Sequence, residues 1–267
     1  MNGSPLYYQL DGLNVETYDV LTAKGGPGVN GDVPFYMRHA QQLDGPVLEL
    51  GAGTGRVTWA LAQAGLTIVG LELSPAMLAQ ARAKAPDMPP AAQARAQFVC
   101  GDMADFDVGQ TFGLVIIAYR AFQSLTTPEQ QRRCLCCIHR HLRPRGHLII
   151  DLFDPKLDLC LPDTPPRPIK GSVRHPATGH LVTVESSSRS TDPLRQVFTE
   201  TWRFTELTDA GQIVRQEQET LALRWTYRWE MRYLLELTGF EVVAEFSDFR
   251  ESPPAYAGEQ IWIARRT

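Results

Sequence analysis

The sequence has no surplus of positive charge: 26 Lys and Arg stand against 30 Asp and Glu, giving a formal net charge of -4 and a pI near 5.9. A protein that coats nucleic acid needs a dominant basic field to neutralise phosphates, so that class is set aside and small-molecule ligands become the default. Long apolar runs are missing as well. No segment keeps the roughly eighteen apolar residues of a membrane span, and the opening MNGSPLYYQLDG lacks the basic and apolar regions of an export signal. A cytoplasmic protein without membrane partners is expected. Cysteine is scarce and odd in number, five in 267 residues, too few for a chain of this length to depend on disulfides. Three of the five crowd into CLCCIHRH, Cys134 to His141. The stretch follows TTPEQQ, where Thr127 can cap a helix, Pro128 opens it and Gln130 closes a capping box. Cys134, Cys137 and His141 would then share a helix face. With no second paired-cysteine cluster to complete a zinc site, the expectation is no metal, and thiols packed in the core beside Leu135 and Ile138.

What is present is an ordinary folded composition, 43% apolar and 21% charged, enough for one main domain plus an elaboration. From Asp32 to Pro155 strand and helix patterns alternate. DVPFYMRHAQQL reads as a lead-in helix. Strands are expected at Val47 to Leu50, LTIVGLEL, AQFVCGDM, FGLVIIA and GHLIIDLF. Helices are expected at TWALAQAG, at SPAMLAQARAKA with a Ser74 cap and Pro75 at its first position, and over the cysteine cluster. PDMPPAAQARA reads as a linker. Continuous Val, Ile and Leu in LVII and LIIDLF fit strands covered on both faces. Beyond Asp154 the proline-interrupted PKLDLCLPDTPPRPIKG leads to HLVTVESSS, RQVFTETWRFTEL and QIVRQEQETLAL, which predict an inserted antiparallel meander of three strands. A helix at YRWEMRYLLELTG, closed by Gly239, precedes the final strands FEVVAEFSDF and EQIWIARR. The fold class is therefore α/β: a Rossmann-like, mostly parallel seven-stranded sheet with helices on both faces and its last strand antiparallel, plus the β meander after the fifth strand. The expected divisions are a lid and lead-in helix over 1–45, a ligand-binding core over 46–158, the inserted subdomain over 159–226, and completion of the core sheet over 227–267.

The stretch VLELGAGTGR, Val47 to Arg56, ends the first strand in three glycines spaced two apart. A dinucleotide fingerprint has glycine at the first, third and sixth places, but here the sixth place is Arg56, with Gly55 before it. Glu49 stands two residues ahead of Gly51, where a carboxylate repels a pyrophosphate and attracts a cation. Glu72 ends the second strand, where it can accept both hydroxyls of a ribose, or simply be an exposed strand-end charge. Asp102, after the third strand, offers an acceptor for an exocyclic amine, or forms a turn before ADFD. Three acids at successive strand ends over a bare turn describe a ligand with an amine, a ribose and an aminopurine but no phosphate.

These features resemble the class I S-adenosylmethionine-dependent methyltransferases. LELGAGTGR is similar to their first motif, VGLELSPAMLAQAR to the acidic second-strand motif, CGDM to the adenine motif, and LRPRGHLIIDLFDP to the fifth-strand motif. The likeness covers about Tyr18 to Pro155 and resumes at YLLELTGFEVV. It departs at Arg145 in RPRGH, where the family often has a first glycine of two; this affects a surface turn. The resemblance implies S-adenosylmethionine as cofactor, with Gly51, Ala52, Gly53 and Gly55 against its methionine part and Glu49 near its ammonium. It implies Glu72 on the ribose, Leu73 and Met77 lining the adenine, Gly101, Asp102 and Met103 at the adenine N6 edge, and Tyr119 facing the methyl donor.

VETYDVLTAKGGPGVNGDVPFY is similar to the lid of antibiotic-sugar and small-amine N-methyltransferases, which implies that Tyr18 and Tyr36 close over the cofactor; the alternative is that both pack a helix on the core. Tyr119, Arg120 and Tyr18 are the catalytic candidates, since ligands sit at strand C-termini. Phe122, Arg224, Trp225, Tyr227 and Arg228 are candidates for substrate contact, although LRWTYRWEM also reads as a strand-to-helix junction with aromatics capping the core. No histidine falls where the pattern places the methyl group. The expectation is a methyltransferase acting on a small-molecule amine or hydroxyl, as a monomer or homodimer. A nicotinamide-dependent oxidoreductase and a non-catalytic cofactor-binding module are the rival readings. Nucleic-acid methylation is weaker, because the Asn-Pro-Pro-aromatic signature is lacking.

Overall fold

Alternation of strand and helix over the first half of the chain builds one sheet, and the β-rich insertion builds another. The structure is a computed structural model that describes residues 7–25, 28–161 and 170–267. In chain order the helices are α1 Leu13–Thr22, α2 Asp32–Gln41, α3 Arg56–Gln63, α4 Pro75–Ala83, the single turn α5 Pro90–Gln93, α6 Pro128–His141 and α7 Arg228–Leu237. The core strands are β1 Val47–Leu50, β2 Ile68–Glu72, β3 Ala96–Cys100, β4 Phe112–Ile117 and β5 Leu142–Phe153. The meander comprises β6 Lys170–Arg174, β7 Leu181–Asp192, β8 Val197–Leu207 and β9 Ile213–Arg224; β10 Phe240–Phe246 and β11 Glu259–Arg266 follow.

The seven-stranded sheet has the order β10-β11-β5-β4-β1-β2-β3. Strands β1 to β5 pair in parallel, while β11 lies antiparallel to both β5 and β10. Helices cover both faces, so β1 and β4 are buried along their whole length, in keeping with their apolar residues, with Glu49 the one acid enclosed among them. On one side α6 and α7 supply Cys134, Leu135, Cys137, Ile138, Met231 and Leu235. On the other, α2 and α3 supply Phe35, Tyr36, Val57 and Leu61. The strand order turns back between β1 and β4, and at such a switch point the connections leave in opposite directions and open a crevice at the strand C-termini. The glycine turn and Tyr119 both emerge there.

Local signals set the helix starts. Ser74 Oγ accepts from Met77 N at 3.1 Å ahead of Pro75. Thr127 and Gln130 close the capping box of α6 at 3.2 Å in each direction. The cysteine helix buries Cys134 and Cys137 beside Leu135 and Ile138, with Cys137 Sγ 3.1 Å from Phe106 O.

The structure differs from the sequence expectations in four places. α1 forms where only a lid was expected. The linker PDMPPAAQARA contains α5, because Pro90 pre-sets its first turn. β5 begins at Leu142 rather than Gly146, with Arg145 in the left-handed region at φ 63°. The meander has four strands rather than three, β6 pairing antiparallel with β7 over Lys170–Arg174. The connection DTPPRPI lies outside the described residues. Among the described residues no helix is long and apolar enough to cross a membrane.

Candidate active site at the C-terminal edge of the core sheet

The turn after β1 is strapped to β2 by Gly51 N and Ala52 N, which donate to Leu71 O at 2.8 and 3.0 Å. Gly51, Gly53 and Gly55 have φ of 74°, 55° and 78°, a region that L side chains rarely adopt. A Cβ on Gly51 would lie 2.7 Å from Ala121 Cβ, whereas one on Gly53 would lie 3.6 Å from Met77 Cε, an ordinary contact. The bare backbone at position 53 therefore answers to something other than crowding within the fold. Glu72 spans the turn and the start of α4: Gly53 N donates to one carboxylate oxygen at 2.9 Å and Ser74 N to the other at 2.8 Å.

Glu49 is 2% exposed and accepts from the Thr58 hydroxyl on α3. Burial pushes its carboxyl up to about 8, with the Thr58 hydrogen bond and the Arg56 charge opposing. No ion pair to it forms within 4 Å among the described residues; Arg56 instead grips Asp32 with two nitrogens at 2.9 and 2.5 Å. A buried acid without a cation of its own at the head of a glycine turn suits a cationic ligand and opposes a diphosphate.

At the end of β4, Tyr119 and Arg120 have φ of 51° and 65°. Their amides are held by one buried carboxylate, with Tyr119 N donating to Asp151 Oδ1 at 2.9 Å and Arg120 N to Oδ2 at 3.0 Å. The Tyr36 hydroxyl donates to the same acid. Burial pushes Asp151 up to about 7. Arg120 pairs with Glu259 at 2.5 Å and lies 5.6 Å over the Phe153 ring.

Above this edge the N-terminal segment contributes rings. Tyr8 and Tyr18 meet edge-on at 5.4 Å and Tyr7 and Tyr8 lie 4.4 Å apart. Ser74 Oγ donates to Tyr8 O, joining the segment to the cap of α4. Burial pushes the Tyr7, Tyr8 and Tyr18 hydroxyls well above their ordinary range, and each also feels Tyr119. α1 is tied to the turn by Thr54 Oγ1, which donates to Asp19 at 2.6 Å, and by Lys84, which reaches Asp19 at 2.6 Å.

The structure thus gathers Gly51, Ala52, Gly53, Gly55, Glu49, Glu72, Met77, Met103, Tyr18 and Tyr119 around one edge, with the Met103 Cε 3.4 Å from a Cβ position on Gly51. Gly101 N continues the line by donating to Glu72 O at 3.0 Å. Asp102 is exposed and accepts from Ala104 N at 2.8 Å, while Leu73 is 57% exposed. Tyr36 is fully buried with its hydroxyl committed to Asp151, so it supports the edge from beneath. Phe122 and Trp225 are enclosed in the core. Arg224, 3% exposed, bonds Glu230 at 2.6 Å and Gln131 at 2.9 Å. Tyr227 and Arg228 face a separate hollow of about 410 Å³, where Arg228 pairs with Glu245 at 2.5 Å. His175 and His180 are engaged by Glu16 and Glu206 at 2.6 and 2.9 Å, and His141 by Asp107 at 3.4 Å. Asp32 and Asp151 escaped the sequence reading. A lone acid inside LIIDLF was the available signal, since a buried carboxylate needs donors.

Residues 47–146 match the family model described as a methyltransferase domain. The cypemycin N-terminal methyltransferase of a Streptomyces species is 34% identical over 54% of this chain and 56% of its own length. The chain spans about half the length of the curated relatives it matches. Among solved structures, the CcbJ methyltransferase from Streptomyces caelestis is 26% identical, with a TM-score of 0.73 over 98% of both chains. CalS10 with bound S-adenosylmethionine, an amino pentose methyltransferase from Micromonospora echinaspora, is 25% identical, with a TM-score of 0.66 over 94% of this chain and 97% of its own. Residues 47–146 are thus similar in sequence to a methyltransferase domain, and the whole chain shares the fold of the CcbJ and CalS10 methyltransferases.

Proposed function

We propose that the protein is a cytoplasmic S-adenosylmethionine-dependent methyltransferase that transfers a methyl group to the nitrogen of a small-molecule acceptor. The observation that carries the cofactor is Glu49, a buried carboxylate with no cationic partner among the described residues, at the head of a turn made of left-handed glycines. Glu49 would face the ammonium, Glu72 the ribose hydroxyls, and Met77 and Met103 the adenine, with Asp102 at its N6 edge. Bound there, S-adenosylmethionine supplies a methyl group on a sulfonium whose leaving group is already in place. What the chain's own residues then do is align the acceptor and exclude water, the task of Tyr8, Tyr18 and Tyr119. The aromatic faces favour a sulfonium as they favour an ammonium. Nitrogen as the methylated atom is supported by the relatives named for N-terminal and amino pentose methylation. No histidine among the described residues bonds to Tyr119, Glu49 or Glu72, in keeping with an acceptor that needs no strong base.

Incubating the protein with labelled S-adenosylmethionine and a panel of primary amines, phenols and carboxylic acids tests this reading. Label is expected in amines. Turnover of phenols alone would refute N-methylation, and loss of all turnover alongside tight cofactor binding would favour a non-catalytic binding module.

A further inference from the structure

The hollow beside the C-terminal edge of the sheet carries more acid than its one base can balance. Its volume, about 410 Å³, suits a small ligand. Asp154, Glu245 and Glu259 line it together with Arg228, so the lining is net negative. Two of the acids are already committed within the fold. Asp154 accepts from Ala257 N at 2.7 Å and from Gln260 Nε2 at 2.8 Å, and Glu259 accepts from Arg120 with both oxygens. Glu245 is different. Its side chain is 5% exposed, its Oε1 accepts from Arg228 Nε at 2.5 Å, and its Oε2 is buried without a hydrogen-bond partner among the described residues. A carboxylate oxygen so placed is disfavoured unless a donor or a cation reaches it.

The rest of the lining is largely aromatic. Tyr227, Trp229 and Tyr256 all stand partly in solvent around the hollow, Trp229 at 58%. Exposed rings grouped around an acid are the arrangement that recognises organic cations, since the ring faces attract positive charge and exclude water from it. The chain already places a cation of its own there: the Arg228 guanidinium lies 5.7 Å from the Trp229 ring centroid while it pairs with Glu245. Its side chain is 45% exposed, so it can withdraw into water and leave its place to a ligand. Arg232, the other guanidinium near that ring, is paired with Glu236 at 3.9 Å and does not line the hollow. Glu259 is a wall common to the hollow and the candidate active site, because it holds Arg120, whose amide shares Asp151 with that of Tyr119.

We propose that the hollow is a subsite for a cationic nitrogen of the methyl acceptor, a different nitrogen from the one that is methylated. The nitrogen that attacks the sulfonium must be neutral, with its lone pair free. A group held between Glu245 and the rings is therefore a second, spectator cation, and the acceptor class is a compound with two basic nitrogens, one of which stays charged. Tyr227 and Arg228 meet in this subsite, Arg228 as the group displaced. The role in acceptor binding rests on the N-methyltransferase reading, whereas cation binding in the hollow is measured without turnover.

Benzyltrimethylammonium is the probe, because it has a fixed positive charge, a ring and no lone pair to methylate; benzyl alcohol and benzoate are its neutral and anionic counterparts. Each is titrated calorimetrically into the full chain saturated with S-adenosylhomocysteine. Only the cation is expected to bind. E245Q, which keeps an oxygen for Arg228 and removes the charge, is expected to weaken that binding about 10-fold or more, and W229A about 3- to 10-fold, with S-adenosylhomocysteine affinity unchanged. R228M is expected to strengthen it several-fold, because the competing cation is gone. Loss in two variants with gain in the third is a pattern that a loosened fold does not produce. Failure of the probe to bind, or equal binding to the native protein, E245Q and W229A, would overturn the subsite. Should E245Q not fold, W229A decides, since that side chain is exposed. In parallel, methyl transfer is measured to aminoalkyl-trimethylammonium salts of graded chain length and to the matching alkylamines. A lower KM for the salts at some chain length, lost in W229A with kcat retained, supports the acceptor role, and no advantage at any length overturns it. Absence of transfer to every amine would refute N-methylation and the acceptor role together, while the calorimetric result still decides whether the hollow binds a cation.

Discussion

Valine at position 53 is expected to abolish binding of S-adenosylhomocysteine, with a calorimetric affinity loss of about 100-fold or more, while the fold survives. The two effects separate because of where the new side chain would go. A Cβ on Gly53 meets only Met77 Cε, at 3.6 Å, so the folded core is not crowded. The φ of 55° costs a β-branched residue about 1–2 kcal/mol, a few degrees of melting temperature for a chain of this size. The added methyl groups would occupy the face of the turn on which the proposed binding mode lays the cofactor. Gly51→Val is the contrast, since its Cβ would fall 2.7 Å from Ala121 and threaten the fold as well. A Gly53→Val protein that binds S-adenosylhomocysteine normally would place the cofactor elsewhere.

The second large effect is expected at Asp151, which the sequence motifs did not single out. Two consecutive residues with positive φ, Tyr119 and Arg120, are stable at the end of β4 because Asp151 accepts from both amides. Asp151→Ala leaves those two amides and the Tyr36 hydroxyl without their acceptor. Each buried donor so stranded costs about 1–3 kcal/mol, and the total is expected near 3 kcal/mol because water can reach the half-buried Tyr119 and Arg120. Melting should fall by about 6–10 °C, and methyl transfer should drop far more than cofactor binding, because the turn carrying Tyr119 relaxes. Unchanged turnover in a folded Asp151→Ala protein would remove the β4 turn from the reaction.

Much of this edge was legible beforehand because its signals are local. An apolar strand breaking into spaced glycines, an acid ending the next strand, Ser74 before Pro75 and Thr127 with Gln130 each act within a few residues. Sequence order alone then implies strands that meet at their C-termini. α1 escaped because its N-cap is Gly12, which gives no side-chain cap, and its apolar positions do not trace a clear stripe. β6 escaped because KGSVR has no apolar alternation and owes its form to pairing with β7. Glu219 sits in QETLAL, which reads as the polar face of a surface strand. Only the register across β7, β8 and β9 and the contact with Tyr8 reveal it as buried. Arg56 illustrates the reverse, since it correctly weakens the dinucleotide reading while its partner Asp32 lies twenty-four residues away.

The central claim is that the glycine turn with Glu49 is built for a cation, and the pH dependence of ligand affinity tests it most directly. In the ligand-free protein Glu49 titrates near 8 and Asp151 near 7, both raised by burial. The unfolded chain holds fewer protons on these groups between the ordinary carboxylate range and about pH 8, so stability without ligand should fall as pH rises through that window. Binding a cation beside Glu49 demands its ionisation and releases a proton below about pH 8. Calorimetric titration with S-adenosylhomocysteine should therefore show affinity rising from about pH 6 to 8 and then levelling, with proton release that fades over the same range. Affinity that falls with pH, or binding of NAD in place of S-adenosylhomocysteine, would contradict the account.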